Sequence, residues 1–272
     1  MRLTRLATWI GLLTVPALLA APAAGALVHR YTFEGGAADD TVGGLNPSAT
    51  AAVIDTAAAA EGTYSAFFDG VDDYIGFDTT AFNDTGFSVA MWVQPASFFS
   101  NYGQGGDQAL LSNKGAGAAD GFSLYFDPVY SGAPWMAALR NHTANGSGDE
   151  ATAVGNAALL AGPWQHVACT VDRAAGTCRL YIDGTDQTVA SAIRTDFAWD
   201  GSWRLGLFTD GGYDLYGRLD DVQIYDEVLP GGAVRYLADN PGSVIPEPVT
   251  TIGLLLGGAA LTAYSRRRQR RK

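Results

Sequence analysis

Along residues 27–248, apolar side chains recur at every second position in short runs, separated by clusters of Gly, Asp, Asn and Pro. Period two is the mark of strands with one buried face, and no long stretch carries helical spacing. The pattern predicts strands near Val28–Phe33, Tyr64–Phe68, Tyr74–Phe77, Phe87–Gln94, Ala109–Ser112, Phe122–Phe126, Trp135–Arg140, Trp164–Val171, Cys178–Ile182, Trp203–Phe208 and Leu215–Tyr225. Phe87, Val89, Met91 and Val93 share one face of their strand. Trp92, Trp164 and Trp203 fall at strand positions that read as core, and Pro230–Leu237 is a short helix candidate weakened by Gly231-Gly232. The class this predicts is all-β, a two-sheet antiparallel sandwich, in one domain over residues 27–240.

The ends differ from the body. Met1–Ala26 has Arg2 and Arg5, then the apolar run Trp9–Ala20, then Ala24-Gly25-Ala26, the layout of a cleaved secretory signal peptide. An uncleaved anchor is the alternative, but the apolar run is short for a span. Residues 241–272 read as a linker followed by Pro246-Glu247-Pro248, an apolar run over 249–264 and six basic residues. The basic end stays cytoplasmic and leaves the body outside. A plain tail anchor would look similar, yet the order of the three parts resembles the PEP-CTERM sorting signal of Gram-negative bacteria. That resemblance implies recognition of Pro246, Glu247 and Pro248 by an exosortase, transient membrane anchoring through a transmembrane helix over 249–264, and delivery to the cell surface or extracellular matrix.

Removing the ends changes the charge reading. Of 17 Lys and Arg, eight lie in the two terminal segments, so nine face all 28 acidic residues in the body, a balance of −19. Such a body repels phosphate backbones, which excludes nucleic acid as a natural partner. The 47% hydrophobic content argues for a packed fold rather than a disordered acidic chain.

Trp164–Asp172 and Gly176–Gly184 read as two arms of a hairpin. With Arg173 and Ala174 near its tip, Cys169 lies opposite Cys178. These are the only two cysteines, and an exported protein meets oxidants, so a disulfide is expected, with two buried free thiols as the alternative.

Five blocks then match a family. Tyr31-Thr32-Phe33-Glu34-Gly35-Gly36 with Ala66–Ile75, Phe87–Val93, Trp164-Gln165-His166-Val167-Ala168, Leu180-Tyr181-Ile182-Asp183-Gly184 and Leu219–Tyr225 resemble, in order and spacing, laminin-G-like, concanavalin A-like jelly rolls. The resemblance implies two curved antiparallel sheets and a structural calcium where the first and last strands meet. The matching ligands are Glu34, the Gly70 region and Asp220, with Asp39 and Asp221 as substitutes. Because neighbouring strand residues face opposite ways, only one of Asp220 and Asp221 can serve.

Some members of this fold are glucanases with Glu, Asp and Glu alternating on one strand, and none of Glu34, Glu61, Glu150, Glu227 or Glu247 lies in such a pattern. No G-x-S-x-G elbow occurs, and His166 reads as a packing residue. The expectation is a non-catalytic module that binds an extracellular glycan or matrix polymer, through aromatic side chains such as Tyr102, Tyr130, Trp135 and Tyr213 with Tyr216. A glycan-degrading enzyme and a matrix component without a small ligand are the alternatives.

Overall fold

The computed structural model describes residues 26–78, 85–97, 107–113, 121–127, 138–142, 150–153, 159–193, 202–208 and 212–245. The signal peptide, the apolar run 249–264, Pro246–Pro248, Tyr102, Tyr130 and Trp135 lie outside them, apart from Ala26. Among the described residues no helix is long and apolar enough to cross a membrane.

The chain forms β1 (Leu27–Tyr31), β2 (Ala49–Thr50), β3 (Val53–Asp55), β4 (Ser65–Asp69), β5 (Ile75–Phe77), β6 (Gly86–Pro95), β7 (Gln108–Ser112) and β8 (Ser123–Asp127). It continues with β9 (Ala138–His142), β10 (Glu150–Ala153), β11 (Gln165–Asp172), β12 (Thr177–Ile182), β13 (Thr185–Asp186), β14 (Thr188–Ala190), β15 (Trp203–Leu205) and β16 (Tyr216–Tyr225), then helix α1 (Gly231–Asp239). The first sheet runs β13-β12-β11-β6-β16-β4-β3, with β1 also on β16. The second runs β14-β10-β9-β8-β7-β15-β5-β2. All pairings are antiparallel, and the all-β sandwich expected from the pattern is present. The short strands β2, β3, β10, β13 and β14 carry no clear alternation and were not among those the sequence predicts.

Period two works as expected on β6, where Phe87, Val89, Met91 and Val93 are fully buried between the sheets. Val167, Cys169 and Val171 of β11, and Cys178, Leu180 and Ile182 of β12, join them. From the second sheet, Trp203 stacks on Phe77 at 3.9 Å, with the Tyr31 ring edge-on beside the indole. Trp203 is the only one of the three expected core tryptophans that is fully buried. Trp92 and Trp164 are half-buried, and Trp92 meets the His166 ring on the outer face of the first sheet.

Part of that outer face is covered. Ala90, Ala168, Tyr181 and Tyr225 point away from the main core and pack against Leu229, Val234 and Leu237 of the α1 region and against Ile245. The fold therefore continues past residue 240, where the sequence placed a linker: Arg30 donates to the Gly242 carbonyl, Gln223 to that of Ser243, and Tyr225 accepts from the Ile245 N–H.

The strand β16 holds the sandwich together. One of its edges pairs with β4 at Tyr216–Leu219 and then with β1 at Val222–Tyr225. The opposite edge runs along β6, with a register shift between Asp220 and Gln223. Leu219, Val222 and Ile224 all face the core, so one extra residue has entered the alternation. Asp221, at φ 43, takes the left-handed turn that this bulge requires.

The β11–β12 turn also shifts a register. Asp172 pairs with Thr177 across a four-residue turn, so Cys169 opposes Leu180 and Cys178 opposes Val171, not each other. The cysteines are therefore diagonal neighbours on the core face. Both are buried thiols not joined in a disulfide, with Sγ atoms 3.0 Å apart.

Candidate functional site

The bulge at Asp220–Asp221 builds an acidic corner where β4 gives way to β1. Asp220 Oδ2 accepts the N–H groups of Ala60 at 2.8 Å and Glu61 at 3.0 Å, and Oδ1 accepts that of Asp221 at 2.8 Å. Burial outweighs these donors and pushes the Asp220 carboxyl up to about 7. Glu34, in the turn after β1, accepts the N–H groups of Thr63 and Tyr64 at 2.7 and 2.9 Å, which hold its carboxyl below the usual range. The two acids thus grip the middle and the C-terminal end of the β3–β4 connection. Asp221 is turned the other way: its Oδ1 takes Arg30 Nε at 2.7 Å and its Oδ2 takes Gln223 Nε2 at 2.8 Å. Glu61 Oε1 stands 3.8 Å from Arg30 Nη2, and burial followed by repulsion from Asp221 raises its pKa.

This arrangement separates the members of the calcium set. Gly70 lies beyond the Asp69–Tyr216 pair, four residues along β16 from Asp220, or about 13 Å at strand rise. It packs on Tyr216 and does not converge on Glu34 and Asp220. Glu34 Oε1 and both Asp220 oxygens accept backbone N–H groups, and Asp221 is held by Arg30 and Gln223. A calcium ion needs six to eight oxygen ligands pointing at one centre, and Gly70 and Asp221 are not placed to join Glu34 and Asp220 at one. Asp39 is exposed. Its neighbour Asp40, which the sequence analysis passed over, is the buried hub: it accepts from His29 Nδ1 and from the N–H groups of Arg30, Val42, Gly43 and Leu45. An acid followed by small and turn-forming residues (Asp40-Thr41-Val42-Gly43-Gly44) was the signal available for it.

His166 is 2% exposed, and burial lowers its pKa to about 4. It is a neutral packing residue against Trp92, as the strand pattern implied.

The outer face of the second sheet differs from that of the first. Tyr125 of β8 points away from the core that takes its neighbours Leu124 and Phe126, and it meets Phe208 edge-on at 5.7 Å. Tyr213 stacks on Phe208 at 4.4 Å and stands half-buried at the rim of this group. Its backbone is held by the Ala109 N–H at 2.7 Å and lies in the left-handed region at φ 58, an unfavourable place for an aromatic residue. Of the expected aromatics, Tyr213 is thus part of a cluster, joined by Phe208 and Tyr125, which sequence reasoning missed. Tyr216 is elsewhere, edge-on to Phe67 on the first sheet.

Two antiparallel sheets sharing one core, with a helix over part of one outer face, define a concanavalin A-like jelly-roll sandwich. The chain belongs to the Laminin_G_3 family of the concanavalin A-like lectin/glucanases superfamily, whose profile matches residues 69–235. No curated protein matches the chain. Among solved structures it is similar to domain 4 of AbnA, a GH43 extracellular arabinanase from Geobacillus stearothermophilus, in complex with arabinotriose. The TM-score is 0.60 at 19% identity, over 79% of this chain and 99% of that one. It is also similar to the binding domain of Paraclostridial Mosquitocidal Protein 1 (TM-score 0.56, 16% identity, 78% of this chain and 51% of that one). The botulinum neurotoxin serotype G binding domain gives TM-score 0.54 and 13% identity over 78% of this chain and 50% of that one. The match thus spans about half of each toxin domain and nearly all of the arabinanase domain. At these identities the likeness is one of fold.

Proposed function

We propose that this chain is an exported, surface-sorted, non-catalytic module that binds an extracellular glycan or matrix polymer. The observation that carries this reading is the Tyr213–Phe208–Tyr125 group on the outer face of the second sheet. Stacked rings with one half-exposed member suit the apolar face of a pyranose or furanose ring. On the first sheet, α1 and the segment up to Ile245 cover the part of the outer face around Ala90, Ala168, Tyr181 and Tyr225. The crystallised arabinotriose complex of the arabinanase domain supports the same class of ligand on the same fold. The carboxylates at the β16 bulge are occupied by backbone N–H groups or by Arg30, which speaks against a free acid pair there.

Export and sorting rest on the two ends: cleavage after Ala26, recognition of Pro246, Glu247 and Pro248 by an exosortase, and transient anchoring by 249–264. Ile245, held by Tyr225, directly precedes the Pro-Glu-Pro triplet in the sequence.

The test is a glycan array with the full chain in detergent, arabinan oligosaccharides included, beside a hydrolysis assay on every sugar bound. Binding without cleavage, lost in Tyr213→Ala, is the expected result. Hydrolysis would replace the reading with an enzyme, and silence in both assays with a structural matrix role.

A further inference from the structure

Four arginines of the body each hold a carboxylate: Arg30 that of Asp221, Arg179 that of Asp186, Arg218 that of Asp55 and Arg235 that of Asp239. Such pairing is expected where acids outnumber bases 28 to nine. Arg204 is the exception. Among the described residues no carboxylate pairs with it, and its one hydrogen bond runs from Nη1 to the Phe208 carbonyl at 3.4 Å, long for an N–H···O contact. The rest of its N–H fork is uncommitted, on a side chain that is half-buried.

The fork is nevertheless fixed in place. Trp203 and Leu205 face the core, so Arg204 between them points to the outer face of the second sheet. Its Cα partner on β5 is Gly76. The Tyr74 ring lies back over that glycine, where a Cβ would come within 2.9 Å of Tyr74 Cε2, and the guanidinium sits over the ring at 4.5 Å from its centroid. A planar cation on an aromatic face is held without losing its in-plane donors. The Phe208 carbonyl that takes Nη1 belongs to the residue whose ring stacks on Tyr213. One outer face thus carries, joined through Phe208, a ring platform and an oriented guanidinium with no protein acid to satisfy it.

We propose that Arg204 reads a carboxylate on the ligand, so that the glycan bound beside Tyr213 contains uronic acid residues. This rests on the glycan reading of the Tyr213 group and narrows it. A guanidinium fork matches the two oxygens of a carboxylate and makes charge-assisted hydrogen bonds to both. A neutral sugar offers only hydroxyl and ring oxygens, which bond it more weakly. The negative charge of the body acts mainly at long range, where salt screens it beyond about 8 Å. A ligand with isolated carboxylates meets it at few points, unlike the continuous phosphates of a nucleic acid.

The test compares oligosaccharides of galacturonate, glucuronate and mannuronate with their methyl esters, and with neutral arabinan oligosaccharides, by calorimetric titration of the full chain in detergent. Esterification keeps the ring and removes the charge. The acids should bind about tenfold tighter than their esters, or more. That ratio is read on the wild type and needs no variant to fold. Arg204→Gln should bring acid and ester to equal affinity, Arg204→Lys should restore part of the difference, and Tyr213→Ala should weaken both by the same factor. Equal binding of acid and ester, an acid preference that survives Arg204→Gln, or binding of the neutral sugars alone would overturn the role of Arg204 and leave the glycan reading standing. Silence across the whole panel would overturn the glycan reading, and this proposal with it.

Discussion

Arg30 and Asp221 lie 191 residues apart in sequence and meet with Nε 2.7 Å from Oδ1. Asp221 is 1% exposed and Arg30 18%, so the pair stands largely out of water. The guanidinium also donates to the Gly242 carbonyl, and in doing so it joins the first strand, the last strand and the C-terminal segment. Replacing Arg30 with Met leaves the buried Asp221 carboxylate without its cation. Removing one member of a buried pair costs about 3 kcal/mol. The expected result is that loss in urea unfolding, with Arg30→Lys recovering only part of it, since an ammonium cannot reach both Asp221 and Gly242.

Asp220 makes a pH prediction. Its carboxyl titrates at about 7 in the fold, against an ordinary value of 3.8. A raised pKa means that the folded state holds the proton more tightly than the unfolded one. The contribution is therefore complete below about 3.8 and is lost as pH rises through about 7. Other carboxylates, such as Asp40 and Asp55, are lowered and act in the opposite direction, so the informative quantity is a difference. Between pH 4 and 7, Tm should fall more steeply, or rise less, in the wild type than in Asp220→Asn. Parallel profiles would show that Asp220 does not carry this proton.

Gly206 follows Leu205 of β15 at φ 82, and a Cβ there would overlap the ring of Phe68. Gly206→Ala combines left-handed strain with overpacking in the core, a loss of about 3 kcal/mol. Gly212→Ala shares a positive φ but meets open space, so its smaller loss isolates the packing part. Equal losses in the two variants would place the whole effect on the backbone.

The diagonal cysteines predict an oxidation state. Sγ atoms 3.0 Å apart on one core face can join with little movement once the protein reaches an oxidising compartment. Non-reducing peptide mapping of exported protein should recover Cys169 linked to Cys178, and the bond should add about 2 kcal/mol, the low end expected of a short loop. Burial raises the Cys178 thiol pKa, so reduced protein should resist alkylation until unfolded. Two alkylated thiols in native exported protein would refute both statements.

Tyr213→Ala and Phe208→Ala separate recognition from packing. Phe208 is 3% exposed and supports the tyrosine, whereas Tyr213 is half-buried. Tyr213→Ala should cost tenfold or more in glycan affinity with little change in Tm. Phe208→Ala should lower both.

The sequence by itself determined the class of fold and the core face of nearly every long strand. Each is a local matter: alternation records which side of a strand is buried, and turn residues record where it stops. It also made the cysteine pair legible, although a four-residue turn displaced the register by two. The tertiary structure alone decided the rest. Period two cannot reveal a bulge, and the bulge at Asp220–Asp221 turns two adjacent acids to different partners, one to the Ala60–Glu61 backbone and one to Arg30. Nor can a linear pattern bring Tyr216 opposite Asp69, or Phe208 beside Tyr125. Those meetings are set by which strands share an edge, a choice made by the whole sandwich.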